Sequence, residues 1–146
     1  MSQALIALGG NQGAAPLWAA LQALQQLGAL RCSPVYASAA GEGQGCADYL
    51  NLVVELETAL SHPQLTQRLQ AIEDAGGRRR DLPGVCHVDL DLLIWAGQVL
   101  RPTDLERAYV ALPWAHLRGQ PRPVASGHLW PGEAMAVLAA LQQRRD

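Results

Sequence analysis

The sequence of 146 residues contains no lysine and no phenylalanine. All 11 basic residues are therefore Arg, and 13 acidic residues bring the formal net charge to −2. The absence of Lys excludes a P-loop lysine, a Schiff base and a lysine general base, so phosphate recognition has to use Arg, backbone N–H groups or a metal ion. The near-neutral charge also argues against a strongly cationic nucleic-acid-binding protein.

Cysteines and long apolar runs are scarce as well. The three cysteines, Cys32, Cys46 and Cys86, are an odd number without CxxC spacing, so a disulfide framework is not expected. The amino terminus shows no signal-peptide pattern, and no apolar run reaches the length of a membrane span. With 49% hydrophobic residues and no visible domain boundary, residues 1–146 are expected to form a single cytoplasmic domain.

Hydrophobic periodicity divides the chain into strands and helices. The Ser-x-x-Gln spacing from Ser61 to Gln64 predicts a capping box at the start of a helix that ends before Gly76. Prolines within 112–123 favour a loop there. The predicted strands are 4–8, 30–38, 49–56, 85–95 and 99–100, and the predicted helices are 16–27, 62–75 and 133–145.

The order of the main elements is strand, helix, strand, strand, helix, strand, which is the split βαβ arrangement. The expected fold is therefore α/β (α+β), a ferredoxin-like βαββαβ sandwich with a mostly antiparallel sheet and helices packed on it. In the strand over 49–56, alternation puts Asn51 on one face and the apolar Leu50 and Leu52 on the opposite, core face.

The chemically most informative stretch is the predicted strand that contains Asp89 and Asp91. Alternation sends His87, Asp89 and Asp91 to one face, with the two aspartates roughly 6.5–7 Å apart at the backbone. Two like charges this close are costly to bury unless a cation lies beside them, and oxygen-only ligands favour Mg²⁺ or Ca²⁺ over zinc. Two interpretations stay open: a Mg²⁺ pair that holds nucleotide phosphates, or a solvated strand edge whose acids pair with the arginines at 78–80.

Residues upstream of the aspartates favour the metal interpretation. Glu73 lies near the end of the preceding helix, and Arg78, Arg79 and Arg80 follow it before the strand begins. Arginine side chains, metal-binding carboxylates and a flexible loop are the parts of a phosphoryl-transfer site, because such a protein mainly positions its substrates, neutralises their charge and excludes water.

Six short motifs occur in a fixed order along the chain. They are Leu8-Gly9-Gly10-Asn11, Tyr36 with Ser38, Asp48-Tyr49-Leu50-Asn51, Gln70 with Glu73, Arg78, and Asp89-Leu90-Asp91-Leu92. Together they resemble the 6-hydroxymethyl-7,8-dihydropterin pyrophosphokinase family of folate biosynthesis, over roughly residues 1–95. Several motifs in one order are far more specific than any of them alone.

The resemblance implies transfer of the β,γ-diphosphate of ATP to the pterin hydroxymethyl oxygen, with release of AMP, in tetrahydrofolate biosynthesis. It implies ATP as co-substrate and two Mg²⁺ ions held by Asp89 and Asp91, with Arg78 and Arg80 contacting the triphosphate. The implied partners are small molecules, with no nucleic acid and no membrane, and the chain is expected to be a monomer or a weak homodimer.

The same resemblance assigns the remaining site residues. Asn11 is expected to brace the turn after the first strand, next to the site. The expected pterin-side residues are Ser38, Tyr49 and Asn51, and the expected ATP-side residues are Gln70, Glu73, Leu92, His116 and Arg122.

A downstream Pro-His motif of the family has two possible placements in this chain. One puts it at Pro113-Trp114. A register shifted by two residues puts His116 at the His position and Arg122 at a later Arg position, and it is preferred because it recovers both residues.

Three positions depart from the family pattern. Cys86 stands three residues before Asp89, where the family has Arg; the loop at 81–85 lacks the family's Trp; and no Phe is available to stack on the pterin. Trp114 could replace that Phe or belong to the core, and both interpretations stay open.

These departures keep a second function open, a non-catalytic family member that binds pterin, a nucleotide or a protein partner. Two other classes are disfavoured. A nucleotide-sugar transferase needs a longer chain, and a nucleic-acid-binding ferredoxin-like module needs more sheet aromatics than Tyr49 and Trp95.

Overall fold

The computed structural model describes residues 1–38, 49–77, 87–119 and 128–129, and within them it contains seven strands and four helices. The strands are β1 (Ser2–Gly10), β2 (Gly28–Cys32), β3 (Tyr36–Ser38), β4 (Tyr49–Thr58), β5 (Asp89–Trp95), β6 (Gln98–Val99) and β7 (His128–Leu129). The helices are α1 (Ala14–Gln25), α2 (His62–Ala75), α3 (Pro102–Leu105) and α4 (Ala108–Leu117).

The strands form one antiparallel sheet in the order β6-β5-β1-β4-β3-β7, and β2 pairs with the distal half of β4. The first strand, β1, is central because it pairs with β4 on one side and β5 on the other. This order, with helices packed on the sheet, confirms the expected ferredoxin-like fold.

One face of the sheet carries the larger core, against α1 and α2. On β4 the residues of this face alternate as predicted, because Leu50, Leu52, Val54 and Leu56 are all buried in the same cluster. Leu17, Leu21 and Leu24 of α1 and Leu65 and Leu69 of α2 complete it. Burial of leucine side chains at about 1.5–3 kcal/mol each makes this face the main hydrophobic contribution to stability.

The beginning of α2 agrees with the predicted capping box. The Ser61 hydroxyl accepts a hydrogen bond from the Gln64 backbone N–H (3.3 Å), and the Gln64 side chain accepts one from the Ser61 N–H (2.9 Å). Both interactions satisfy backbone donors that have no partner inside the helix. The helix ends at Ala75, and Gly77 follows with a positive φ of 90°.

A second, smaller cluster lies on the opposite face, where α4 covers the sheet. Val110 and Leu117 of α4 pack with Leu5, Val53 and Leu93 of the strands. The predicted loop over 112–123 is therefore wrong as far as Leu117, because the helix continues through Pro113. An internal proline costs about 3 kcal/mol in helix stability, and burial of the apolar residues of α4 against the sheet offsets it.

The strand with the two aspartates is shorter than predicted. It starts at Asp89, while His87 and Val88 precede it outside the strand, and residues 85–86 lie outside the described part. The register shifts by one residue against β1, since Leu5 pairs with Ile94 and Ile6 with Leu92. Leu93 is the extra residue of this bulge.

Several other predictions concern residues outside the described part. These are the side chains of Arg78, Arg80 and Arg122 and the helix over 133–145. The predicted extended segment over 30–38 is described, and it forms two strands, β2 and β3, with Pro34 between them. No helix within the described residues is long and apolar enough to cross a membrane.

Candidate active site

A row of four residues crosses the sheet on the α4 face and joins the two halves of the predicted site. Tyr36 pairs with Asn51, Asn51 with Gly9, and Gly9 with Asp89. Directly opposed residues of neighbouring strands have their side chains on the same face. The backbones of Asn51 and Asp89 are therefore two strand spacings apart, about 10 Å, with only a glycine between them.

Gly9 keeps the space between the amide and the carboxylate open. A Cβ at this position would lie 3.1 Å from Asn51 Oδ1. The Asn51 amide thus extends over β1, into the volume that a larger side chain at position 9 would occupy. Asn51 itself is only 6% exposed, and this burial fixes its amide at the floor of the face.

The two aspartates differ in their surroundings. Asp89 is exposed at the start of β5, whereas Asp91 is half-buried and faces Ala7 of the central strand. Burial raises the pKa of Asp91 above its usual value of 3.8, the nearby Asp89 charge raises it further, and the Arg101 guanidinium lowers it. Burial is the largest cause of this rise, and the neighbouring Asp89 charge adds to it, so a cation beside Asp91 would favour its ionised form.

This donor set fits magnesium carried by a nucleotide. Within the described ranges no group of three or more His, Cys, Asp or Glu side chains is placed to hold a metal ion. Mg²⁺ is commonly bound by one or two carboxylates, with waters and substrate phosphates as the other ligands. Bound there, Mg²⁺ would neutralise charge on the phosphates during transfer.

The raised pKa of Asp91 predicts how stability depends on pH. A carboxyl whose native pKa is raised favours the folded state below its ordinary pKa, and this contribution is lost as the pH rises through the native value. Asn stays neutral throughout. The free energy of unfolding of the wild type, measured with urea in the presence of a chelator, should therefore fall relative to that of Asp91→Asn as the pH rises from 3.8. A difference that stays flat or rises with pH would contradict this cause of the shift.

Glu73 of α2 holds the aspartate strand from its outer side. Its Oε2 accepts a hydrogen bond from the Leu90 backbone N–H at 3.0 Å, and its side chain is buried. The outer neighbour β6 pairs only with Ile94 and Trp95. Glu73 thus supplies the acceptor that a neighbouring strand would otherwise provide, midway between the two aspartates.

Two substitutions of Glu73 should separate the contribution of this hydrogen bond to stability from the contribution of the negative charge. Glu73→Ala leaves a buried N–H without its acceptor, and we expect a loss of about 1–3 kcal/mol in the free energy of unfolding. Glu73→Gln keeps a side-chain carbonyl oxygen and should lose less. Urea unfolding of both variants, with amide exchange at Leu90 as a local readout, tests this role; equal losses in the two variants would contradict it.

A cavity of about 250 Å³ lies at the outer edge of β5, next to Glu73. It brings together three predicted ATP-side residues, Gln70, Glu73 and Leu92, and adds Arg101. A larger cavity, of about 550 Å³, lies at the far end of the sheet against Arg31 and Glu57 and contains none of the predicted residues. The smaller cavity is connected to the aspartates through Arg101, which pairs with Asp91.

The backbone of β5 also takes part in this cavity. The Leu90 N–H points away from β1, toward Glu73, and groups two residues apart along an antiparallel strand point the same way. The N–H and C=O of Leu92 therefore face the cavity, ahead of the segment that β6 covers. Such a strand edge can hydrogen-bond a planar heterocycle through its donor and acceptor.

A model of the 7,8-dihydro-6-hydroxymethylpterin-pyrophosphokinase (HPPK) family matches residues 5–119. The chain belongs to the HPPK family. This match confirms the resemblance found in the sequence motifs, and it extends past β5 through α4. It ends before Arg122.

Three relatives of similar identity carry the name 2-amino-4-hydroxy-6-hydroxymethyldihydropteridine pyrophosphokinase. The Synechocystis protein is 36% identical over 126 residues, which are 81% of this chain and 60% of the relative. The Pseudomonas putida protein is 38% identical over 67% of this chain and 86% of its own length. The Pseudomonas aeruginosa protein is 36% identical over 85% of both chains. The aligned part thus spans less than two thirds of the Synechocystis relative.

Three residues of the HPPK motifs lie near the end of the row that contains the Asn51 amide, which is called the amide side below. They are Asn11, Tyr49 and Ser38. Asn11 is buried directly after β1, and the Gln12 amide donates to its Oδ1 at 3.0 Å. Tyr49 is half-buried on the Asn51 face, and its backbone pairs with that of Ser38. The three positions therefore surround the end of the sheet at which Asn51 lies.

His116 lies on this amide side as well, away from the predicted ATP-side residues. Its Nδ1 is hydrogen-bonded to the Tyr36 hydroxyl at 3.3 Å, with the two rings edge to face. Tyr36 is three strands away from β5. The described structure thus separates His116 from the cavity that contains Gln70, Glu73 and Leu92.

Arg101 is a residue of the candidate site that the sequence motifs did not identify. Its Nη1 lies 2.8 Å from Asp91 Oδ1, and the residue lines the cavity of about 250 Å³. A signal for it exists in the sequence. The tight turn at Ala96-Gly97 folds the chain back in a fixed register, and residue 101 then lies beside residues 91 and 92.

Tyr109 lies at the beginning of α4. It is 38% exposed. Burial raises the pKa of its hydroxyl, Arg107 lowers it, and the charges of Asp104 and Asp91 raise it, which puts the ring close to the acidic end of the row. Trp114, by contrast, packs against the smaller core cluster and lies 4.0 Å under the Arg118 guanidinium. For Trp114 the structure therefore favours core packing over pterin stacking.

Proposed function

We propose that this chain transfers the diphosphate of ATP to the hydroxymethyl group of 6-hydroxymethyl-7,8-dihydropterin and releases AMP, as a step of tetrahydrofolate biosynthesis. The observation that carries the proposal is the single row in which Asn51, Gly9 and Asp89 follow one another across three strands. Family membership and the activity for which the relatives are named support the same function.

The two substrates bind on opposite sides of the aspartates. The pterin lies over β4 and β1, where the Asn51 amide hydrogen-bonds its ring edge and Ser38 and Tyr49 border it. The adenosine part of ATP occupies the cavity of Gln70 and Leu92 at the edge of β5, and the phosphates reach around that edge to Asp89 and Asp91.

Asp89 and Asp91 hold the Mg²⁺ that accompanies ATP, with two ions as the proposed number. Arg78 and Arg80, outside the described residues, supply further positive charge to the triphosphate. Arg101 supports the ATP side better than His116 does, because Arg101 lines the cavity and His116 contacts Tyr36. The chain is proposed to act as a monomer or a weak homodimer.

The chemical step is a displacement at the β-phosphorus of ATP. A bond forms between the pterin hydroxymethyl oxygen and the β-phosphorus, and the bond from the β-phosphorus to the α,β-bridging oxygen breaks. AMP leaves with that oxygen, and the hydroxyl proton passes to solvent water. The protein contributes mainly position and charge compensation, as expected for phosphoryl transfer. Separation of Asn51 and Asp89 by about 10 Å leaves room for the hydroxymethyl group to approach the phosphates.

Release of AMP tests the function directly. Protein, ATP, Mg²⁺ and 6-hydroxymethyl-7,8-dihydropterin should yield AMP in amounts equal to the pterin diphosphate formed, and no AMP should form without the pterin. The background is the doubly substituted Asp89→Ala, Asp91→Ala protein. AMP formation no higher than this background would refute the proposed enzymatic activity. In that case, calorimetric heats of binding with ATP or the pterin would identify a non-catalytic binding protein.

A further inference from the structure

Arg101 forms ion pairs with two carboxylates at the border of the candidate site. Its Nη1 lies 2.8 Å from Asp91 Oδ1, and its Nε lies 2.7 Å from Asp104 Oδ2. The side chain is 49% exposed, so it can leave either partner without crossing the core. One guanidinium therefore links a proposed metal-binding carboxylate to one that lies outside the metal site.

The backbone that carries this guanidinium is fixed. The Leu100 N–H donates to the Leu93 carbonyl oxygen at 2.8 Å, which continues the hairpin of β5 and β6 up to Arg101. Arg101 directly precedes α3, whose first turn contains Asp104. Its Cα therefore stays in place, and only the side chain has freedom to exchange partners.

The contact with Asp91 competes with a divalent cation. A guanidinium that hydrogen-bonds a carboxylate oxygen occupies a position that a metal ligand must offer, and two cations on one carboxylate repel each other. Mg²⁺ also needs close oxygen ligands in octahedral geometry. Release of Arg101 from Asp91 is consequently part of metal binding at this carboxylate.

A nucleotide provides a second acceptor for the released side chain. Arg101 lines the cavity that contains Gln70 and Leu92, so polyphosphate oxygens that reach from the cavity to the aspartates pass beside it. Arginine binds phosphate through several donors in a planar arrangement. The ion pair between Asp104 and the Nε of Arg101 is kept during this exchange.

We propose that Arg101 is an exchangeable counter-ion that pairs with Asp91 in the nucleotide-free protein and turns to the polyphosphate when a divalent cation arrives with its nucleotide. This inference rests on the proposed function, because it takes Asp91 as a metal ligand. Its consequence is that free divalent cations bind weakly, whereas the metal–nucleotide complex binds well. The residue positions and discriminates, and it transfers no group itself.

The test measures binding of Mn²⁺ without nucleotide, by electron paramagnetic resonance, and binding of Mg²⁺ with a non-hydrolysable ATP analogue, by calorimetry. For Arg101→Gln we expect free Mn²⁺ to bind about five- to tenfold more tightly. The same variant should bind the Mg²⁺–analogue complex about tenfold more weakly. These opposite signs are the signature, because a structural defect would weaken both.

Two further variants serve as controls for the loss of positive charge at position 101. Arg31→Gln removes an exposed arginine that pairs with Glu55, and it should leave both affinities near the wild-type values. Arg101→Lys keeps the positive charge and should keep free Mn²⁺ binding weak. Equal Mn²⁺ affinities for wild type and Arg101→Gln, or equal gains in Arg101→Gln and Arg31→Gln, would overturn the counter-ion role.

Failure of this inference differs from failure of the proposed function. If Asp91→Asn leaves the binding of Mn²⁺ and of the Mg²⁺–analogue complex at wild-type values, the metal assignment itself is wrong and the counter-ion role falls with it. If Asp91→Asn abolishes metal binding while Arg101→Gln has no effect on free Mn²⁺, only the role of Arg101 is wrong.

Discussion

Asp89→Asn and Asp91→Asn should each reduce AMP formation by about 10²–10³-fold, with little loss of folding stability. Each substitution removes a negative ligand from a pair that has to hold Mg²⁺ against ATP, and loss of a single charge-stabilising group in such sites commonly reduces the rate by 10²–10³-fold. Asn preserves the size of the side chain. For Asp91, removal of a carboxylate with a raised pKa also relieves repulsion from Asp89.

The matched control is Glu57→Gln, which removes one negative charge from the exposed far end of β4. Its rate of AMP formation should remain within about twofold of the wild type, since surface substitutions away from a site have small effects. The measurement is AMP release at saturating ATP and pterin, with urea unfolding of every variant as a check on folding. Full activity of either aspartate variant would remove that carboxylate from the metal site.

Asn51→Ala should raise the KM for the pterin by about 10²-fold while changing the KM for ATP little. The amide is buried at the floor of the row, and a buried group that hydrogen-bonds a polar substrate loses a large part of the binding energy when it is deleted. The separation of the two KM values is expected because Asn51 and the nucleotide cavity lie on opposite sides of β1 and β5.

Gly9→Ala provides a graded comparison for this prediction. Its new Cβ would lie 3.1 Å from Asn51 Oδ1, so the amide has to move by a few tenths of an ångström. We expect a rise in the pterin KM in the same direction as for Asn51→Ala but smaller, about tenfold, because the amide is displaced and not removed. Initial-rate kinetics with each substrate varied in turn measure both variants. An increase in the KM for ATP as large as that for the pterin would contradict the placement of Asn51 and Gly9 on the pterin side.

Local patterns in the sequence predicted the elements on the α1 and α2 side. Alternation in β4 placed Leu50 and Leu52 in the core, and the spacing of Ser61 and Gln64 identified the capping box. These predictions succeed because side-chain direction in a strand and hydrogen bonding at a helix start depend on neighbours only a few residues away.

Predictions beyond β6 were weaker because long-range packing decides that region. Pro113 is a local signal against a helix, yet burial of Val110 and Leu117 against the sheet keeps α4 helical around it. The shifted register that selected His116 used residue type alone. Only the packing of α4 on β3 shows that this side chain contacts Tyr36.

The sequence by itself determined the family, the ferredoxin-like order of elements and the pair Asp89 and Asp91 on one face of a strand. Each of these depends on spacing along the chain, which a period of two or a short motif records directly. The tertiary structure alone decided that Asn51, Gly9 and Asp89 share a row across the sheet. It also decided that Arg101 forms an ion pair with Asp91. Strand order and hairpin register place these residues together, and both follow from the pairing of segments that are distant in the chain.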